Sequence, residues 1–474
     1  MKSTLLFSFL LLLTTTRTTA QKETEHHWGR TGYDGAFSAA PTSDGGYVIS
    51  GLSQSMSDPV GDIIIIKVNA QCDTQWTLLY GGPKLEGGND VMETADGGIL
   101  VAGHTEDFGA LDCDAFLMKL DKNGQRQWLK VYGGEEDDIA EGTIEVPGGG
   151  YAFAGITASY GNATPSDMRH TWFVRTTADG EMLWAKCYGG DSTDYGYSIA
   201  NTPAGGFLAV GYTKSRGHGE EDGWLLRIQD NGDTLWTRTY TAGGDTRLFK
   251  IIPVAGGNFI AVGHTHAQNG SPSQGMVVKL DADGNELWKK TYGGNDGVTF
   301  QSVAQTPTGS LMIAGSSQKA DSNGNVYILT IDGDGNKVQE LLFGGTGSGA
   351  NAIAMQGNNS WMAAGYSREW DPNSDIFYME ASNTGVLPSP GNSSECSIFP
   401  NPVSAKSSVI LPSIYAYDTV RLDIIDGSGK LVGCSGESLG KDLVIDKKAL
   451  PTGQYIFHIS CKDGKTFRGK FAVE

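Results

Sequence analysis

The chain has 474 residues, 67 of them glycine and 16 proline, and its 35 Lys and Arg against 54 Asp and Glu give a formal charge of −19. Glycine at about twice its usual share, with ordinary proline and no triplet period, excludes a collagen-like chain and points to a fold with many tight turns. The acidic balance offers no basic face to a nucleic acid and suits a solvated extracellular surface.

Lys2, the apolar run from Leu5 to Leu13 and the small residues Thr18-Thr19-Ala20 read as a secretory leader, residues 1–20. The run falls well short of the roughly 20 residues that cross a bilayer, which argues for a leader over a membrane anchor here. Losing the leader removes Lys2 and Arg17 and leaves the remainder near −21. Export permits disulfides among Cys72, Cys113, Cys187, Cys396, Cys434 and Cys461. No Cys-x-x-Cys pair supports a zinc site, and Cys434 and Cys461, in one terminal domain, are the expected bridge.

A repeat fills the next 360 or so residues. Tyr47-Val-Ile-Ser-Gly51 recurs at Ile99–Gly103, Tyr151–Gly155, Phe207–Gly211, Phe259–Gly263, Leu311–Gly315 and Trp361–Gly365, with closing glycines 52, 52, 56, 52, 52 and 50 residues apart. Each of the seven units reads as four strands. A short first strand such as Ser198-Ile-Ala200 is followed by a glycine turn such as Asp44-Gly-Gly46. The nearly all-apolar second strand suits burial on both faces. A variable polar loop precedes a third strand such as Asp114–Lys119. A hairpin follows at Asn123-Gly124, Asp179-Gly180, Asn231-Gly232, Asp283-Gly284 and Asp334-Gly335, where both central positions are expected to take positive φ. Unit one has Gln71-Cys72 there. The fourth strand carries Trp and Tyr four apart, at Trp76/Tyr80, Trp128/Tyr132, Trp184/Tyr188, Trp236/Tyr240 and Trp288/Tyr292, and unit six has Gln339/Phe343 instead. The indoles are expected to fill the wedge between neighbouring units.

Four strands in about 50 residues, seven times over, predict a seven-bladed β-propeller. Unit seven stops near Pro388 without a fourth strand. Trp28 lies as far before Gly51 as Tyr80 lies before Gly103, so residues from Thr24 to Trp28 are expected to complete blade seven and remove an open edge.

Chemistry-bearing motifs are few. The loops at Asp281–Asn285 and Asp332–Asn336 look like EF-hands, but Lys290 and Leu341 stand where the bidentate acid belongs, so they read as hairpins and calcium has no specific motif behind it. No cofactor or metal set is expected, and no Gly-x-Ser-x-Gly, His-Glu-x-x-His or Walker loop occurs, which leaves no catalytic residue to name. The acids Glu135 to Asp138 read as a solvated loop. Function then belongs on the loops after the second strands. The candidate ligand-binding residues are His104, His264 and His266, each just after a closing glycine, with Tyr160 and Trp370 on the loops.

Residues 382–395 are rich in Gly, Ser, Pro and Asn. The divisions are a leader at 1–20, a propeller at 21–388, a linker at 389–395 and a terminal domain at 396–474. That domain has short alternating strands suited to a small Ig-like β-sandwich. Its Pro400-Asn-Pro402 opening, Asp426-Gly-Ser-Gly-Lys430 turn, Leu450-Pro-Thr-Gly-Gln-Tyr455 strand and Lys470-Phe-Ala-Val473 end resemble the C-terminal sorting domain of type IX secretion substrates of Bacteroidetes. The resemblance implies a partner in the type IX machinery, export across the outer membrane, and release or anchoring to surface lipopolysaccharide. The repeats resemble the Tyr-Gly-Gly and Asp-Gly-Gly units, similar to delta-60-type repeats, of secreted Bacteroidetes proteins, a likeness that bears on architecture more than on activity. Three readings of function stand at this point. The first is a non-catalytic binding or adhesion module for a glycan or protein. The second is a polysaccharide hydrolase or lyase with acids drawn from several blades. The third is a structural surface-layer component.

Overall fold

The computed structural model divides the chain into two units, Met1–Ser389 and Pro390–Glu474. It describes residues 23–29, 32–55, 60–109, 112–161, 168–217, 221–241, 244–266, 272–318, 325–343, 347–357, 360–368 and 374–382 of the first, and 397–399, 406–410, 419–426, 430–434, 438–439, 444–446, 450–461 and 466–473 of the second. The leader, the linker, Trp370 and the Pro-Asn-Pro opening lie outside those residues.

The first unit is a seven-bladed propeller. Blade 1 is the antiparallel meander β2 (Asp34–Pro41), β3 (Tyr47–Ser53), β4 (Asp62–Val68) and β5 (Thr74–Tyr80), and five further four-stranded sheets repeat that order. In blade 7 the strands Gly349–Met355, Ser360–Ser367 and Asp375–Ser382 are completed by β1 (Glu23–Trp28), in the register Glu23 to Ala381 through Trp28 to Ile376. The N-terminal strand therefore closes the ring as its spacing predicts, and no blade is left with three strands.

Burial is graded outward, as the composition of each strand requires. Every residue of β3 is buried, and the third strand of blade 2, Asp114–Leu120, is buried throughout. The fourth strands alternate exposed and partly buried positions. Seven apolar clusters hold the blades together, one at each junction, including one that joins Ile64 and Tyr47 of blade 1 to Met362, Ile376 and Tyr378 of blade 7.

The Trp and hairpin motifs are one device. A Cβ on Gly124, the blade 2 hairpin glycine, would stand 3.0 Å from the ring of Trp76 in blade 1, and Gly180 stands in the same way against Trp128. Tyr132 and Tyr188 donate their hydroxyls to the carbonyls of Gly180 and Gly232, at 2.7 and 2.6 Å. Blades 2, 3 and 5 are thus stapled to the hairpin of the next blade. The expectation that both central hairpin residues take positive φ is corrected. Only the glycines do, and Asn123 does not. The side chain of Asp121 accepts the N–H groups of Asn123 and Gln125, which fixes a three-residue turn ending in a glycine bulge.

In the second unit, Ser397–Phe399, Lys406–Ile410 and Val444–Asp446 form one sheet. Leu431–Cys434, Thr419–Asp426, Gly453–Cys461 and Thr466–Val473 form another, in that spatial order, with Ser438–Leu439 also paired to Thr419–Asp426. Two sheets around buried Leu422, Ile424, Phe457 and Ile459 make the small sandwich. The expected Cys434–Cys461 bridge is corrected. Cys434 pairs with Asp423 and Cys461 with Val420, on opposite sides of the strand Thr419–Asp426. Two strand spacings and a three-residue offset along the strand put their Cα atoms about 14 Å apart, beyond a disulfide's reach.

Candidate functional site

The innermost strands, which face the axis of the ring, are β2 and its equivalents Glu86–Glu93, Asp138–Glu145, Asp194–Asn201, Thr246–Val254, Val298–Gln305 and Gly349–Met355. Each contains one β-bulge at the same place. The pairing skips Phe37, Asn89, Glu141, Tyr197, Phe249, Gln301 and Asn351. Opposite the residue before each bulge stands the closing glycine of the second strand. A side chain on Gly51 would collide with the carbonyl oxygen of Gly35, and the same collision recurs in every blade. The repeated glycine is therefore the partner of the bulge, and the bulge turns its extra residue toward the axis.

These seven side chains border a cavity of about 690 Å³ in the central channel, which runs from them toward the ends of the inner strands. Three are aromatic, three are amides and one is a carboxyl group. Asn89 and Asn351 donate to the carbonyls of Ala140 and Ala36 in the next blade, at 3.0 and 2.9 Å. One residue further along, Asp90 accepts from Ser38 Oγ at 2.7 Å and from the Thr143 N–H at 2.8 Å, which links blades 1, 2 and 3. Lys250 Nζ of blade 5 reaches Asp90 Oδ1 across the channel at 3.4 Å. Toward the mouth the wall becomes apolar, with Pro41, Met92, Ile252, Pro253 and Met355.

Glu141 is half-buried in the channel wall and accepts the Tyr195 hydroxyl at 2.8 Å. Burial pushes its carboxyl up to about 7, the Tyr195 bond works against that rise, and the charge on Asp90 adds to it. Behind the chamber a file of rings runs through blades 4 and 5. Tyr212 stacks on Tyr195 at 5.6 Å, Tyr195 lies 4.5 Å from Tyr197, Tyr197 meets Phe249 at 4.9 Å, and the file ends at His264 and His266, 5.0 Å apart. Arg247 sits over the Tyr212 ring and pairs with Glu221.

His266 and Tyr160 lie on exposed segments after their second strands, as expected, whereas His104 and His264 lie within the strands. None of His104, Tyr160, His264 or His266 lines the chamber. His104 and His264 end buried strands rather than opening solvated loops. Burial pulls His104 down to about 4, and burial followed by His266 and Arg247 does the same to His264. His266 is exposed. Tyr160 lies 5.6 Å from Trp172 and donates its hydroxyl to the carbonyl of Gly133, a structural tie on blade 3. Asp138 is fully buried at the start of its inner strand and accepts the Gly134 N–H at 2.8 Å, so it does not belong to a solvated loop. Among the described residues no group of three His, Cys, Asp or Glu could hold a metal ion. The signal that does find the chamber is spacing, since each bulge residue stands fourteen positions before the closing glycine of its unit.

Residues 397–474 match the family described as secretion system C-terminal sorting domain. The tail is a sorting domain. A chain with this sorting domain is a client of the type IX secretion machinery and is exported, to be secreted or attached at the cell surface. No sequence among curated proteins matches the chain. Solved structures similar to it include a protein of unknown function from Dyadobacter fermentans (13% identity, 76% of this chain and 99% of that chain covered, TM-score 0.44). Others are the Pan2 WD40 domain of Neurospora crassa (9%, 75% and 91%, TM-score 0.47) and Sqt1 from Chaetomium thermophilum (11%, 95% and 100%, TM-score 0.42). The propeller itself is read from strand pairing.

Proposed function

We propose that the exported propeller is a non-catalytic recognition module that takes a glycan in its central channel, displayed outside the cell by its sorting domain and held there by surface lipopolysaccharide. The observation that carries this reading is the composition of the bulge ring. Aromatic faces pack against the C–H faces of a sugar, and amide and carboxyl groups bond its hydroxyls, which is the mixture that Phe37, Tyr197 and Phe249 make with Asn89, Gln301, Asn351 and Glu141. The cavity volume is within the usual range for small-ligand pockets, about 300–1,000 Å³.

Hydrolysis fits the same chamber less well. Glu141 has the raised pKa of a general acid, but a glycosidase needs a second carboxylate free to act as base or nucleophile. Asp90, the other acid in the chamber wall, is engaged by Ser38, Thr143 and Lys250. The test is a glycan array probed with the full chain, followed by titration of the hits against Phe249→Ala and Tyr197→Ala. The expected result is at least a tenfold loss of affinity with little change in melting temperature. Undiminished binding by both variants would move the site to the outer loops.

A further inference from the structure

We infer that the chamber selects a carboxylate-bearing sugar, such as a hexuronic acid, with Lys250 as the counter-ion to the sugar's acid group. This rests on the glycan reading above and names the class of glycan.

Lys250 is the one cation among the described residues that line the cavity. Its position is set by the fold, because it follows the Phe249 bulge directly and reaches from blade 5 to Asp90 of blade 2. The contact is long. At 3.4 Å it exceeds the lysine–acid pairs on the rest of the propeller, such as Lys67–Asp44 at 2.8 Å, Lys119–Asp96 at 3.0 Å and Lys214–Glu221 at 3.1 Å. Asp90 does not depend on it, since Ser38 and Thr143 already donate to both carboxylate oxygens at shorter range. An ammonium carries three donors, and this one keeps about a third of its side-chain surface open to the channel. An incoming carboxylate can take Lys250 without leaving Asp90 unsatisfied, which removes the main cost of breaking a partly buried pair.

The surroundings suit the rest of such a ligand. Phe249, next to Lys250 in the chain, and Tyr197, 4.9 Å from the Phe249 ring, line the same cavity, and Gln301 lies one blade further on. The groups that face Glu141 are Tyr195, Tyr197 and Asp90, with Lys250 beyond Asp90. Protonated, Glu141 donates to a ligand oxygen and adds no negative charge. Ionised, it repels an acid. A sugar carboxylate of ordinary acidity stays charged across neutral pH, so its affinity should rise as the medium falls from pH 8 to pH 6 and Glu141 takes up its proton.

The experiment is calorimetric titration of the full chain with trigalacturonate and with its methyl ester, which keeps the shape and loses the charge. Trigalacturonate should bind at least tenfold tighter at low salt, and the preference should shrink as salt rises. Lys250→Gln should bring the two ligands to equal affinity, and Lys250→Arg should retain the preference. Glu141→Gln should flatten the pH dependence. Melting temperatures report whether each variant is folded. Equal binding of acid and ester by the unchanged protein would overturn the acidic class while leaving the glycan reading in place. Failure of both ligands, with no other glycan bound, would overturn the two together. A trialanine carboxylate that binds as tightly as trigalacturonate would reassign the site to peptide ends. Preference that survives in a folded Lys250→Gln chain would overturn the role of Lys250.

Discussion

Where blade 2 meets blade 3, Trp128 lies against the hairpin glycine Gly180, at 3.0 Å from where its Cβ would be, and Tyr132 bonds the glycine's carbonyl. Where blade 7 meets blade 1, both halves of the staple are gone. Thr24 of β1 holds the register position of the tryptophans, opposite Glu380, as Trp76 lies opposite Lys67. The blade 1 hairpin has Cys72 in place of glycine, at φ 60° and buried among Ile66, Ile376 and Tyr378. The reason is physical. A hairpin glycine is required only where an indole occupies the space a Cβ would fill. Gln339 of blade 6 makes the same point from the other side, because blade 7 takes its fourth strand from the N-terminus and has no third-to-fourth-strand hairpin for an indole to meet. The irregular units are the ones that flank the closure. Between blades 7 and 1 the apolar cluster of Tyr47, Ile64, Met362, Ile376 and Tyr378 joins the sheets without the staple.

That contrast can be broken most severely by deleting residues 21–28. The strand Asp375–Ser382 would then be an open edge, and six ladder pairs and the packing of Trp28 would be lost. Roughly 5 kcal/mol or more of stability is expected to go, at about 1 kcal/mol for each hydrogen bond plus the buried ring. Calorimetry should show no sharp propeller transition, and a synthetic peptide of residues 21–29 added in excess should restore it. A sharp transition in the truncated chain alone would show that the ring does not need its closing strand.

The staple itself comes next. Trp128→Ala should cost about 3 kcal/mol in urea unfolding, the low end for a large aromatic because the ring is only partly buried. Gln339→Ala, at the equivalent position before the closure, should cost under about 1 kcal/mol. Similar costs at the two positions would mean that the indole contributes through its own blade alone. The smallest effect separates the two hairpins. Gly180→Ala places a Cβ against Trp128 at positive φ and should cost about 2–3 kcal/mol. Cys72→Gly, which relieves positive φ and loses a small buried side chain, should stay within about 1 kcal/mol of the original.

Much of the fold could be read from the chain because it recurs. Closing glycines, hairpin glycines and Trp/Tyr pairs return at nearly constant spacing, and Trp28 keeps that spacing before Gly51, which is how the closing strand shows itself in advance. The chamber is hidden for the opposite reason. Its seven positions are occupied by Phe, Asn, Glu, Tyr, Phe, Gln and Asn, and a search for sameness passes over places where the units differ. A bulge is also a register event, which becomes visible only once the second strand is paired with the first. The Asp90–Lys250 contact joins residues 160 positions apart on blades that are not neighbours, so no local pattern could suggest it. His104 and His264 lie within strands, not at loop starts, although they follow the closing glycine. That glycine marks the bulge across from it, not the start of a loop.

The bulges separate two jobs that most β-structures must perform with the same residues. The ladder pairs and the apolar clusters between blades are made by other positions, and one inserted residue per blade is turned to the lumen beside them. The propeller is therefore a seven-slot socket whose contents can be exchanged without rewriting the wheel. Counting back fourteen residues from each closing glycine reads out those contents, and the same count on any chain built of these units would show whether its socket is aromatic, acidic, basic or empty.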